Sequence, residues 1–214
     1  MDRWASFDCY GTLIDWNGGI RAELARVFGE ERADAQLARY HEVEPELERD
    51  GTSSYRQVLT DAMRRLGAPA GAEHGLAESL PGWQPFAETH DALAAARLAG
   101  WKLAILSNTD DDFIAASQVQ IGVPFDEVVV AQEIGSYKPA HRHWDEFFQR
   151  TAAAREGHVH VGASLFHDIA PSNELGLRSV WINRLGESAS DIVPTRELAD
   201  LKLLPGTLAE LVPA

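Results

Sequence analysis

The sequence holds one cysteine, Cys9, among 214 residues. That excludes a disulfide framework and any zinc site built on several thiolates. No apolar run approaches the roughly 18 residues that a membrane span requires. The first ten residues, MDRWASFDCY, lack both the basic start and the apolar stretch of a secretory signal, so a cytoplasmic, soluble protein with no membrane partner is expected. Positive charge is also scarce. Nineteen Lys and Arg stand against 33 Asp and Glu, a formal net charge of −14. A nucleic-acid partner is disfavoured, because phosphate backbones need a basic surface. An anionic substrate would have to find its positive charge locally, against the field of the whole molecule.

What is present is globular composition, 45% hydrophobic and 24% charged. The length suits one domain, or one domain carrying an insertion. Residues 4–7, 102–106, 128–130, 158–161 and 179–182 read as short buried strands, rich in apolar or β-branched residues. Stretches of helical period lie between them: 86–99 stopping at Gly100, 111–121 after Thr109 and Asp110, and 141–154 after Pro139. Strands alternating with helices imply a parallel sheet covered on both faces. Residues 17–84 break the alternation with charged, helix-period sequence and no strand. They are expected to form a helical cap inserted into a core made of 1–16 and 85–214. The tail, with Pro194, Pro205 and Pro213, is expected to lie over the sheet edge.

Ligands of open parallel sheets bind beyond the carboxyl ends of the strands, and polar residues stand at those ends here. Asp8 closes the first strand before Gly11 and Thr12; Ser107 and Asn108 close the second; Lys138 follows the third; Asp168 lies six residues past Gly162. Each has a plainer reading, as a turn or helix cap or a solvated lysine. Their order at successive strand ends is the stronger signal. His158 and His160 share a strand face but have no third ligand in view. Asp110, Asp111 and Asp112 read as acidic bias at a helix start, and Cys9 as buried and inert.

The segments FDCYGTLIDW, LAILSN, GSYKP and VGASLFHDIAPSNELGLRSVWINR, in this order, resemble the four motifs of the haloacid dehalogenase superfamily. The resemblance implies an α/β fold, a Rossmann-like doubly wound parallel core with an inserted helical cap, and Asp8 as nucleophile. Most members are Mg²⁺-dependent phosphatases and a minority are metal-free 2-haloacid dehalogenases. Two departures separate them. Where phosphatases carry a general acid two residues after the nucleophile, this chain has Tyr10. Where they carry the first metal-binding acid of the last motif, it has Ala163. An alkoxide leaving group needs a proton and Mg²⁺ needs several oxygen ligands, whereas halide departs without either.

The dehalogenase resemblance implies that Asp8 attacks C2 of a 2-haloacid to give an ester, which water hydrolyses, with no metal or other cofactor. Lys138 would keep Asp8 ionised, Asp168 would position Lys138 or the water, and Thr12, Ser107 and Asn108 would orient Asp8 and the substrate carboxylate. Arg39, 31 residues after Asp8, matches the spacing of the substrate-binding arginine; Trp16 and Tyr10, with Asn108, complete the expected substrate contacts. A small-molecule carboxylate is the expected partner, and a homodimer is a family expectation. Ala163, Leu165 and His167 in the last motif, and Trp144 six residues past the lysine, depart from the dehalogenases too. Two rivals therefore stay open: a Mg²⁺-dependent phosphatase with rebuilt ligands, and a retired fold that binds an anion or a protein.

Overall fold

The computed structural model describes residues 2–49, 51, 53–188 and 191–214. Six parallel strands form one sheet in the order β3-β2-β1-β4-β5-β6: β1 (Arg3–Phe7), β2 (Trp101–Ser107), β3 (Glu127–Val130), β4 (His158–Gly162), β5 (Arg178–Ile182) and β6 (Arg196–Leu198). The strands alternate between two apolar layers. Ala5, Phe7, Leu103 and Ile105 join the larger core, while Trp4, Ala104 and Leu106 join a second core with Trp144 and Phe147. Both faces are covered, which is why the strand sequences are apolar almost throughout.

Helices α5 (Thr89–Leu98), α6 (Asp111–Ile121), α7 (Ala131–Ile134), α8 (Arg142–Thr151), α9 (Ala170–Glu174) and α10 (Leu204–Leu211) flank the sheet, in their positions among α1–α10 along the chain. The tail does more than lie over the edge. Its residues Arg196–Leu198 join the sheet beside β5, and Leu201, Leu204 and Leu208 enter the larger core.

Between β1 and α5 the chain forms α1 (Trp16–Phe28), α2 (Glu30–Glu48), α3 (Tyr55–Leu66) and α4 (Gly75–Ser79), with no strand among the described residues. It leaves and re-enters the core at one place. Ile14 bridges Pro85, Asp15 N–H donates to Gln84 O at 2.9 Å, and Phe86 N–H donates to Leu13 O at 3.0 Å. The cap is also tied down across the cleft. The Asp110 carboxylate accepts the backbone N–H groups of Tyr55 (2.8 Å) and Arg56 (2.9 Å) at the start of α3, and Ser54 Oγ accepts that of Gln57. Helix starts leave such N–H groups unpaired; here a core carboxylate takes two of them. Tyr137 adds a hydroxyl bond to Ser53 O at 3.0 Å.

Candidate active site

Strand order reverses between β1 and β4, the switch point at which open α/β sheets bind ligands. Asp8, Ser107, Lys138 and Asp168 meet there at the floor of a cavity of about 640 Å³ between core and cap. Lys138 Nζ donates to Asp8 Oδ1 (2.9 Å), Asp168 Oδ1 (2.7 Å) and Leu106 O (2.8 Å), which uses all three of its hydrogens. Thr12 Oγ1 donates to Asp8 Oδ2 and accepts the Ala163 N–H, both at 2.9 Å, so one hydroxyl joins the loops after β1 and β4. Gly162 has no alternative residue. A Cβ there would stand 2.4 Å from the Asp168 carboxyl carbon.

Burial lifts the Asp8 carboxyl above the usual carboxylate range, and Asp168 adds to the rise, while Lys138 and Thr12 oppose it. Burial also works against the charge of Asp168, yet Lys138 and His160 overrule it and hold that carboxyl well below its usual range. The same two carboxylates outweigh burial at Lys138 and push it up to about 12. The trio is thus a firmly charged Lys138–Asp168 pair that supports a less acidic Asp8.

Behind it runs a buried polar chain that the sequence showed only as two histidines on one strand face. Ser6 Oγ lies 2.8 Å from both His158 Nε2 and His160 Nδ1, and His160 Nε2 faces Asp168 Oδ1 at 3.4 Å. Burial keeps both imidazoles neutral at pH 7. One arrangement satisfies the chain: His158 Nε2–H to Ser6, Ser6 O–H to His160 Nδ1, and His160 Nε2–H to Asp168. It leaves only His158 Nδ1 without a partner, as found. These histidines hold Asp168, not a metal.

Two expected site residues lie elsewhere or are otherwise engaged. Arg39 does not line the cavity; its guanidinium bonds Gln36 Oε1 (3.3 Å) and Arg65 O (3.4 Å). The α2 residues that do face the cavity are His41, Glu44, Pro45 and Glu48, one helical stripe, and Arg39 sits two residues (about 200°) from His41 on the helix. Asn108 reaches the cavity, and its amide also bonds the lysine loop. Its Nδ2 donates to Lys138 O (3.1 Å), and its Oδ1 accepts Lys138 N–H (2.6 Å). It positions Lys138 and keeps a second amide hydrogen.

Trp16 and Tyr10 do line the cavity. Tyr10 stacks on Tyr55 with centroids 6.2 Å apart, and its hydroxyl is paired with Ser117 Oγ at 3.0 Å. Burial raises the phenol further, so it stays protonated. Ser107 Oγ is buried and unpartnered on the cavity wall. Sequence reading missed Glu44, Glu48, His41, Phe86, Phe166 and Arg184, all of which line the cavity. Arg184 is engaged with Glu88 (2.7 Å) and Thr12 O (2.8 Å), beneath the ring of Phe86.

The donors do not fit Mg²⁺. Among the described residues no three His, Cys, Asp or Glu side chains converge in a metal-holding group. Asp168 Oδ1 is taken by Lys138 and His160, its Oδ2 accepts the Ser164 N–H, and Ala163 offers no oxygen beyond its carbonyl, which accepts Trp181 Nε1–H. Mg²⁺ wants near-octahedral oxygens, and an ammonium group stands between the two carboxylates that could begin such a set.

A doubly wound sheet with a lysine-paired aspartate at its switch point, under a helical cap, defines the class as a Rossmann-like α/β fold with an inserted cap. Residues 3–176 match the haloacid dehalogenase-like hydrolases, and the chain belongs to that family. It is 27% identical over 210 residues to the (S)-2-haloacid dehalogenase of Pseudomonas sp. (strain YL), covering 92% of this chain and 90% of that one. Its fold matches the L-2-haloacid dehalogenase of Xanthobacter autotrophicus with chloropropionic acid covalently bound, at a TM-score of 0.83 and 18% identity over 97% of this chain and 98% of that one. A dehalogenase solved with an intermediate complex matches at 0.86 and 21% identity over 97% of each chain.

Proposed function

We propose that the protein hydrolyses a carbon–halogen bond of a small organic substrate, with Asp8 as nucleophile and without a metal. The observation that carries this reading is the pairing of Asp8 with Lys138, with no acid at the position two residues past the nucleophile. The side chain two residues on, Tyr10, has its hydroxyl committed to Ser117. A leaving group that departs as a stable anion needs no such acid. The similarity to haloacid dehalogenases supports the same reaction class.

Asp8 Oδ2, held by the single neutral hydroxyl of Thr12, is the freer of its two oxygens and attacks carbon as halide leaves with the bonding pair. Asp8 Oδ1 becomes the ester carbonyl, already 2.9 Å from the Lys138 ammonium. When water attacks that carbonyl, negative charge grows on Oδ1 beside a fixed cation that needs no reorganisation, the usual source of large rate gains. The exchange as a whole converts an organohalide and water into an alcohol, halide and a proton.

Halide release in EDTA, lost in Asp8→Asn, tests the reaction. A single turnover in ¹⁸O-water tests the ester. The label should enter Asp8, raising the mass of its peptide by about 2 Da, and not the alcohol. Label appearing directly in the alcohol would remove the covalent step. Phosphate release that requires Mg²⁺, with no halide release, would remove the reading altogether.

A further inference from the structure

The cap wall facing Asp8 is acidic where the dehalogenase resemblance implies a cation. Glu44 and Glu48 stand one turn apart at the C-terminal end of α2 and line the cavity. That end of a helix carries partial negative charge of its own. Glu44 Oε1 is fixed by two phenols, accepting from Tyr40 (3.0 Å) and Tyr55 (2.9 Å). The Glu48 side chain has no hydrogen bond or ion pair among the described residues, and it lies near enough to Asp8 and Lys138 to feel both charges. Burial holds Glu44 up to about 7 and Glu48 well above its usual range, the mark of carboxylates that lack a cation.

Among the described residues, none on the wall supplies that cation. Lys138 is saturated by its three acceptors, and Arg184 is paired with Glu88. His41 is stacked on Trp16, and partial desolvation lowers its pKa. Independently of the glutamates, Ser107 lines the cavity floor and its buried hydroxyl has no partner among the described residues. Beside Glu44 lie the rings of Trp16 and Tyr55, joined by a 3.0 Å hydrogen bond from Trp16 Nε1 to Tyr55 Oη. Acids raised by burial beside aromatic faces suit an ammonium group, because the cation draws them into their charged form. A carboxylate placed there would oppose that ionisation and meet the nucleophile's own charge.

We infer that Glu44 and Glu48 select the substrate, and that it is a small organohalide bearing an ammonium group and not a carboxylate. The halide part rests on the reading above; the charge selection does not. The ammonium takes no part in bond making: Asp8 oxygen bonds carbon, halide leaves with the electron pair, and the cationic end is held at the glutamates.

The test separates the two claims. Binding of propylammonium and of propionate, unreactive and nearly isosteric, is measured by calorimetry at pH 8 in wild type, Glu44→Gln, Glu48→Gln and Glu48→Asp. Propylammonium should bind wild type at least tenfold tighter than propionate. That preference should collapse in either Gln variant and return in part in Glu48→Asp, with thermal melting confirming that each variant is folded. Failure to bind propylammonium, preference for propionate, or a preference that survives both Gln variants would overturn the inference. Chloride release is then compared for 3-chloropropylammonium and 3-chloropropionate against enzyme-free blanks. Ammonium binding without chloride release keeps the charge selection and removes the dehalogenase reading. Faster release from the chloroacid keeps that reading and removes the charge selection.

Discussion

Lys138 holds Asp8 and Asp168 at once, its Nζ 2.9 Å from one carboxylate and 2.7 Å from the other, with its side chain 1% exposed. A buried acid and a largely buried one share one buried cation and form a charged unit with little help from solvent. Removing one partner of such a unit leaves charge stranded, which costs about 3–5 kcal/mol. Lys138→Met should lose stability on that scale in urea titration and lose halide release by at least about 10²-fold. Retention of either would show that the lysine is peripheral.

Acid should inactivate the protein sooner than an ordinary aspartate would allow. Asp8 must be ionised to attack, and burial raises its pKa. Activity is present above that raised value and is lost as pH falls through it. The pH profile of kcat/KM should therefore have an acidic limb with a midpoint above 3.8, the usual aspartate value. A midpoint at or below that value would contradict the burial argument.

Stability also declines in acid, through Asp168, whose folded pKa is lowered. Its contribution is complete above the unfolded value of 3.8 and disappears as pH falls toward the folded one. Asp168→Asn should flatten the acid branch of stability against pH, read from melting temperatures between pH 3 and 7.

Thr12→Val keeps the shape of the side chain but removes both of its bonds. The Ala163 N–H would be left unpaired, at about 1–3 kcal/mol, and Asp8 Oδ2 would lose its donor. Chemical denaturation and kcat should both fall. A fall in stability alone would show that Thr12 only joins the loops.

Ser6→Ala orphans two imidazoles together. The expected cost is about 1–3 kcal/mol per buried group left unpaired, with a smaller effect on kcat, since Ser6 reaches the cavity only through His160 and Asp168. Unfolding measurements beside steady-state kinetics distinguish these effects. Unchanged stability would show that the chain is not a bonded unit.

The floor of the cleft was legible because a parallel sheet forces it to be. Asp8, Ser107 and Asp168 stand at or soon after the ends of apolar strands, and Lys138 in the loop beyond β3 and α7, so the sheet brings all four to one edge. The cap has no such rule. Counting residues gave Arg39, but the face of α2 that meets the cavity is decided by packing of Ala33, Gln36 and Tyr40, and that packing turns His41, Glu44 and Glu48 inward. Asn108 is ambiguous for another reason: a strand-end amide suits both a ligand and a neighbouring loop, and here it bonds the Lys138 backbone twice while lining the cavity. The strand Arg196–Leu198 has three residues at the sheet edge and no apolar run to mark it.

Asp110 gives the cleft a different kind of latch. Because α3 borrows the acceptor for its first two N–H groups from the opposite side of the cavity, swinging the cap away would fray the start of that helix. Tyr55, the first residue of α3, is also the wall residue that fixes Glu44. Cleft closure, completion of a helix and assembly of the pocket wall are therefore one event, and a half-open cap would carry a half-built pocket.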